Sequence, residues 1–263
     1  MDDDEPISKR SLFGIGISVT DYAQATRAVM RHASRRQSFT VTALATHGLM
    51  LADEDPAFRR IVNSIDLVTP DGQPVRWALN VLHHAGLTDR VYGPDLTGYV
   101  CDAAAREGVS VYLFGSTAET NARFASELLR AHPGLVIAGR QPDRFREATA
   151  DEDDGDVERI NSSGAGIVLV GRGCPRQERW VAEHQGRVHA AMLAVGAAFD
   201  YHAGTLRRPP RWMQRVGLEW LFRLLQEPRR LFGRYVRYNT RFIIRFVGAL
   251  ARRPRGKRPD ASD

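Results

Sequence analysis

Three apolar runs constrain this chain more than any other feature: residues 109–114 (VSVYLF), 167–170 (IVLV) and 191–195 (AMLAV). Each has the length of one strand and little polar interruption. Strands of this kind need cover on both faces, which a parallel sheet obtains from its connecting helices. Residues 39–44, 64–68 and 135–138 read as further short strands. Helical patterns fall at 21–34, 53–63, 94–106, 117–131, 156–161 and 176–184. The expectation is an α/β body: a mostly parallel sheet with helices on both faces. Residues 151–154 (DEDD) read as an acidic surface loop or a helix start, and no internal repeat is visible.

Charge divides the chain by position. Residues 207–263 hold 16 Lys and Arg against 4 Asp and Glu, whereas residues 1–206 are net acidic. This places a boundary near residue 205, with a body over 1–205, a basic amphipathic helical appendage over 206–250 and a disordered tail over 251–263. Within the appendage Arg230, Arg234, Arg237, Arg241 and Arg245 recur every three or four residues. On a helix they span an arc of ~80°. Leu231, Phe232, Tyr235, Val236, Phe242, Ile243, Phe246 and Val247 occupy much of the remainder. An arginine ridge on an aromatic body suits a polyanionic partner, a diphosphate or an anionic membrane surface. The same stripe also describes a helix packed on a core with a solvated charged face. Nucleic acid ranks last among the partners, because no RNA- or DNA-binding module is recognisable.

No apolar run approaches the ~20 residues of a membrane-spanning helix. The acidic start, MDDDEP, lacks the features of a signal peptide, and Cys101 and Cys174 stand apart without ligand spacing. These point to a reducing cytoplasm, without a disulfide framework or a zinc site.

Ligands of wound parallel sheets sit at the carboxyl ends of the strands, so strand-ending turns are the first candidates. Gly115 follows one strand, and Gly171–Arg172–Gly173 follows another just ahead of a helix whose N–H groups could meet phosphate. Neither is a complete nucleotide fingerprint. Asp71, in Pro70–Asp71–Gly72, is either a general base at a strand end or a turn-forming residue. Gln177 could bond a base or a sugar, while Glu178 reads as a helix cap. His47 and Asp200 also follow apolar strands and are equally compatible with structural roles. There is no GxSxG elbow or HExxH helix.

Taken in order, VTPDGQPVRWALN (68–80), DRVYGPDL (89–96), IVLVGRGCPRQERWVAEH (167–184) and AVGAAFDYHAGTLRRPPRWMQRVGLEWLFRLLQEPRR (194–230) resemble the WecG/TagA/CpsF family of bacterial glycosyltransferases. The similarity covers residues 12–240. It implies a Rossmann-like α/β body followed by a C-terminal helical appendage, and an inverting, metal-independent transferase that needs no cofactor beyond a UDP-sugar donor. The implied acceptor is a sugar on a polyprenyl diphosphate at the cytoplasmic membrane face, in cell-surface polysaccharide or exopolysaccharide biosynthesis. By the same resemblance Asp71 is the base, and Arg90 and Gln177 are polar residues of the site. Thr42 lies near the donor, and Arg223, Arg230 and Arg234 meet the lipid diphosphate. Gly171 and Gly173 could supply N–H groups to the leaving diphosphate. One departure concerns the early strand. Leu44 stands where many members have an asparagine, which leaves His47 or Thr46 to replace it. A catalytically silent nucleotide-sugar-binding protein docked to the membrane is the alternative reading, and self-association into a homo-oligomer is left open.

Overall fold

The computed structural model describes residues 7–252, except the side chain of Arg211. The expected tail therefore lies outside the described residues from 253 onward. A short antiparallel hairpin, β1 (Lys9–Leu12) and β2 (Ile15–Ser18), precedes α1 (Tyr22–Ser34). Then follow β3 (Phe39–Leu44), α2 (Thr46–Glu54), α3 (Pro56–Ser64), β4 (Leu67–Pro70), α4 (Gln73–His83) and α5 (Gly93–Glu107). The body continues with β5 (Val111–Gly115), α6 (Ala118–Ala131), β6 (Ile137–Gln141), α7 (Ala150–Ser162) and β7 (Ile167–Gly171). It closes with α8 (Arg176–Glu183), β8 (Ala191–Ala194) and α9 (Ala198–His202). Three more helices, α10 (Arg211–Arg215), α11 (Glu219–Gln226) and α12 (Pro228–Ala251), complete the described chain.

The central sheet has six strands in the order β4-β3-β8-β7-β5-β6, and every pairing is parallel. The two faces are divided by the period-two alternation of side chains. Val111 and Leu113 of β5 and Ile167 and Leu169 of β7 pack with α1, α5 and α6 residues such as Val29, Val100 and Phe124. Their neighbours Tyr112, Phe114, Val168 and Val170 pack on the other face with Phe58, Leu79 and Trp180. The apolar runs of the sequence are thus strands buried on both sides, as expected.

Several boundaries differ from the sequence reading. The stretch 64–68 is not one strand: α3 runs through Ser64, and β4 starts only at Leu67. Between them the Asp66 carboxylate accepts from both the N–H and the hydroxyl of Thr40, which sets the register of β4 beside β3. The pattern read as one helix over 53–63 is two, because Asp55 caps α3 and Pro56 opens it. The DEDD stretch lies in α7, whose start is a reciprocal capping box between Thr149 and Glu152. The hairpin and α4 were not among the elements read from the sequence.

The C-terminal helices return to the body. Leu231 and Phe242 of α12 are buried, and the Phe242 ring meets Phe13 of the hairpin turn edge-on at 5.9 Å. The arginine ridge lies against α2. Arg237 is 2.8 Å and Arg241 3.2 Å from Glu54, and Arg245 is 2.8 Å from the buried Asp53. With Arg230 paired to Glu227, four of the five ridge arginines therefore meet the protein's own carboxylates, so the ridge is not a uniformly free cationic face. The face left to solvent carries Phe232, Val236, Ile243 and Val247. On the helix these four fall within an arc of ~60°, about 120° from the buried pair. Among the described residues no helix is long and apolar enough to cross a membrane. Phe242→Ala should cost about 3 kcal/mol of stability. Urea denaturation would measure the loss, and hydrogen exchange should show α12 loosened before the sheet.

Candidate active site

Asp71 follows β4 directly and lies half-buried where the strand ends converge. Its Oδ2 accepts from the N–H of Gly93, the first residue of α5, at 3.4 Å. Gly93 is a close approach. A Cβ there would stand 3.2 Å from Cβ of Ala43 on β3 and 3.7 Å from Asp71 Oδ2. Burial pushes the Asp71 carboxyl up to about 7, with Glu219 adding to the rise and Arg90 and Arg223 opposing it. A carboxylate desolvated to this degree binds a proton near neutral pH, the range in which a general base is useful.

Arg90 stands next to it, almost wholly buried, with its guanidinium 4.2 Å from the centre of the Tyr92 ring. Its Nη1 pairs with Glu219 of α11 at 2.5 Å, and its Nη2 donates to Gln214 of α10 at 3.3 Å. The C-terminal helices thus pack against one side of this site. Gly217 seats them: its φ of +76° suits glycine, and a Cβ would meet the Trp77 ring at 2.6 Å.

Thr42 and Gln177 come together through a residue the sequence reading took for a helix cap. Glu178 does more than cap α8. Its Oε1 accepts from the Thr42 hydroxyl at 3.1 Å and from Gln177 Nε2 at 2.9 Å. Glu178 is 1 % exposed, and burial raises its carboxyl above the ordinary range. The adjacent Gln177 Oε1 is buried without a hydrogen-bond partner, 3.0 Å from where a Cβ on Gly196 would stand. The motif's glutamine thus faces the turn after β8. Glu178 could have been suspected only from its place one residue beyond Gln177, since burial is not visible in sequence.

The remaining candidates line the rim. The Arg223 guanidinium lies 5.7 Å from the centre of the Tyr201 ring, and its buried Nε has no hydrogen-bond partner. Arg234 is half-buried, and burial lowers its proton affinity. His47 belongs to the first turn of α2, edge-on to Tyr238 at 4.7 Å. Burial first, then the charge of Arg234, brings His47 down to about 4, so it is neutral at ordinary pH. Leu44 is core, buried beneath Gly48. Arg230 sits outside this group, exposed and paired with Glu227 at 2.8 Å. Gly171 is pressed against Phe199 and Gly115, and Gly173 takes a φ of +75° at the turn into α8. Beside that turn Asp143 holds Arg176 at 3.0 Å and Arg172 at 3.4 Å, a cluster the sequence did not suggest. Among the described residues no three His, Cys, Asp or Glu side chains gather as a metal site would need.

A parallel sheet, a desolvated carboxylate at its strand ends and the arginines Arg90 and Arg223 beside it suit a transferase of anionic substrates. The model of the glycosyl transferase WecG/TagA/CpsF family matches residues 10–256. The chain belongs to this family. The glycosyltransferase therefore carries its family match across both the sheet and the three C-terminal helices.

The raised Asp71 carboxyl has a consequence for stability. A group with a folded value of about 7 against an ordinary 3.8 binds its proton more tightly when folded. Its stabilising contribution is complete below pH ~4 and is lost as pH rises through 7. Asp71→Asn, which cannot ionise, should therefore raise the unfolding free energy at pH 8 relative to wild type. That gain should vanish near pH 4, as urea titrations at the two values would show.

Proposed function

We propose that this glycosyltransferase moves a sugar, with inversion, from a UDP-sugar to a sugar carried on a polyprenyl diphosphate, with Asp71 as the general base. The observation that carries the reading is the desolvated carboxylate at the strand ends, without an ion pair among the described residues and with Arg90 and Arg223 beside it. Asp71 accepts the proton of the acceptor hydroxyl as that oxygen bonds to the anomeric carbon. The bond from that carbon to the UDP oxygen breaks on the opposite face, and UDP leaves with the electron pair. Inversion at the carbon follows from this in-line geometry.

Two negative groups must then be held, the leaving diphosphate of the donor and the lipid diphosphate of the acceptor. Arg223 and Arg234 lie at the rim for one, and the N–H groups of the Gly171–Gly173 turn lie at the strand ends for the other. Fixed donors of this kind can stabilise developing charge without a metal ion. Thr42 and Gln177, fixed by Glu178, offer a hydroxyl and an amide oxygen to a sugar or a base. His47, neutral in its setting, can take the hydrogen-bonding role that Leu44 cannot.

A lipid-borne acceptor calls for a membrane-facing surface, and the C-terminal helices supply one. Phe232, Val236, Ile243 and Val247 on α12 are exposed, as are Trp212, Trp220 and Leu225 on α10 and α11, the last 73 % so. Apolar side chains in this number are costly to leave in water and favourable in the acyl boundary of a bilayer. With four of the five ridge arginines already paired, the apolar face is the main contact and the arginines add attraction to anionic headgroups. This supports a peripheral membrane enzyme, and the UDP-sugar donor proposed above would put it on the inner face.

Transfer from a panel of UDP-sugars to a polyprenyl-diphosphate-sugar analogue tests the chemistry. One donor should give product, and Asp71→Asn should lower kcat by about 10²- to 10⁴-fold. Full activity in that variant would remove Asp71 from its role, and UDP binding without turnover would make the protein a silent binder. In flotation with anionic vesicles, Ile243→Glu should weaken binding about tenfold or more. Arg241→Ala, which removes an internally paired charge, should do less.

A further inference from the structure

We propose that Glu219 is a positioning residue. By engaging the Arg90 guanidinium from the C-terminal helices it leaves Asp71 unpaired, so that the base is competent only while α11 is seated. The inference rests on the reading of Asp71 as base.

Three charged groups from three separate segments meet here: Asp71 after β4, Arg90 ahead of α5, and Glu219 at the start of α11. Two carboxylates thus compete for one guanidinium. The geometry settles the competition in favour of Glu219, which holds Nη1 at 2.5 Å, while Gln214 takes Nη2. The side chains of Arg90 and Glu219 are 7 % and 12 % exposed, so water competes little for the pair. Both terminal nitrogens of Arg90 are therefore committed to α10 and α11. Asp71 keeps one long hydrogen bond from the Gly93 N–H and no ion pair among the described residues.

Removing the Glu219 charge would leave a buried guanidinium without a counter-ion, a state that costs several kcal/mol. The nearby carboxylate able to relieve it is Asp71. An aspartate paired to arginine holds its charge more firmly and is a poorer proton acceptor. The other groups acting on Asp71 do not reverse this. Arg223, also on α11, opposes Glu219 but acts more weakly on Asp71. Tyr22 and Tyr92 border it through neutral hydroxyls, both raised by burial. Unseating α11 removes Glu219 and Arg223 together and leaves Arg90 in place, which again directs Arg90 to Asp71. Seating of the helices that carry the apolar face and readiness of the base are thereby linked through one ion pair.

The test reads the Asp71 carboxyl directly, in full-length protein labelled with carboxyl-¹³C aspartate, its signal assigned by loss in Asp71→Asn. Wild type should titrate near 7. Glu219→Gln should move the midpoint down by about one pH unit or more, whereas Glu219→Asp, which keeps the charge, should stay close to wild type. A Glu219→Gln midpoint equal to wild type overturns the proposal, as does a Glu219→Asp midpoint equal to that of Glu219→Gln. Should Glu219→Gln fail to fold, Gly217→Val displaces α11 by its clash with Trp77 and leaves every charge in place. The same downward shift is then expected, and no shift in a variant whose α11 exchanges freely overturns it. The readout needs no sugar transfer. A wild-type midpoint near 4 would instead unseat the base reading itself, so the two failures are distinguishable.

Discussion

A parallel sheet has no face it can leave in water, and this constraint organises the protein. Each strand of the central sheet carries apolar residues on both sides, so each connection has to supply a helix to one face or the other. Parallel strands all finish at the same edge, and the turns that follow β3, β4, β7 and β8 therefore collect in one place. Asp71, Gly93, Gln177 and Gly196 meet there although more than a hundred residues separate the first from the last. This convergence is a by-product of covering the sheet, and the strand ends are where the proposed chemistry would be grafted.

The electrostatics of that site follow from desolvation more than from any single partner. Asp71 and Glu178 are both driven towards the neutral form by burial, but their surroundings give them different tasks. Glu178 is held by Thr42 and Gln177 and serves as a strut. Asp71 has only one long hydrogen bond and is left open to a ligand. Arginines outnumber the free carboxylates at the rim, which suits the diphosphate groups proposed to bind there. On α12 the balance is different, because Asp53 and Glu54 of α2 satisfy most of the ridge. A row of arginines on a helix is thus two different things, a docking seam to the protein itself and, at Arg234, an element of the site.

The fold class was legible because it rests on local pattern. Strand-length apolar runs and the helices between them survive as β5, β7 and β8 with boundaries shifted by a residue or two. Failures occurred where a pattern was short or interrupted. Residues 64–68 mixed the end of a helix with the start of a strand, and Asp55–Pro56 divided what looked like one helix. In the site, Asp71, Thr42, Arg90 and Gln177 could be named from motifs, but the motifs were silent on how these residues are joined. Glu178 was read as a cap because a glutamate in the first turn of a helix usually faces solvent, and only packing against β3 makes it a buried acceptor.

What the sequence determined by itself was the set of parts: a two-faced sheet, a family-specific pair of motifs and a C-terminal segment rich in arginine and aromatics. These are matters of composition and spacing, which local physics reads directly. The tertiary structure alone decided which charge pairs with which. Arg237, Arg241 and Arg245 turn to α2, Arg90 turns to Glu219, and Asp71 remains unpaired, because ion pairing depends on distances between segments that the chain brings together only on folding. Charge can be counted along a sequence, whereas its partner and its hydration are properties of the folded molecule.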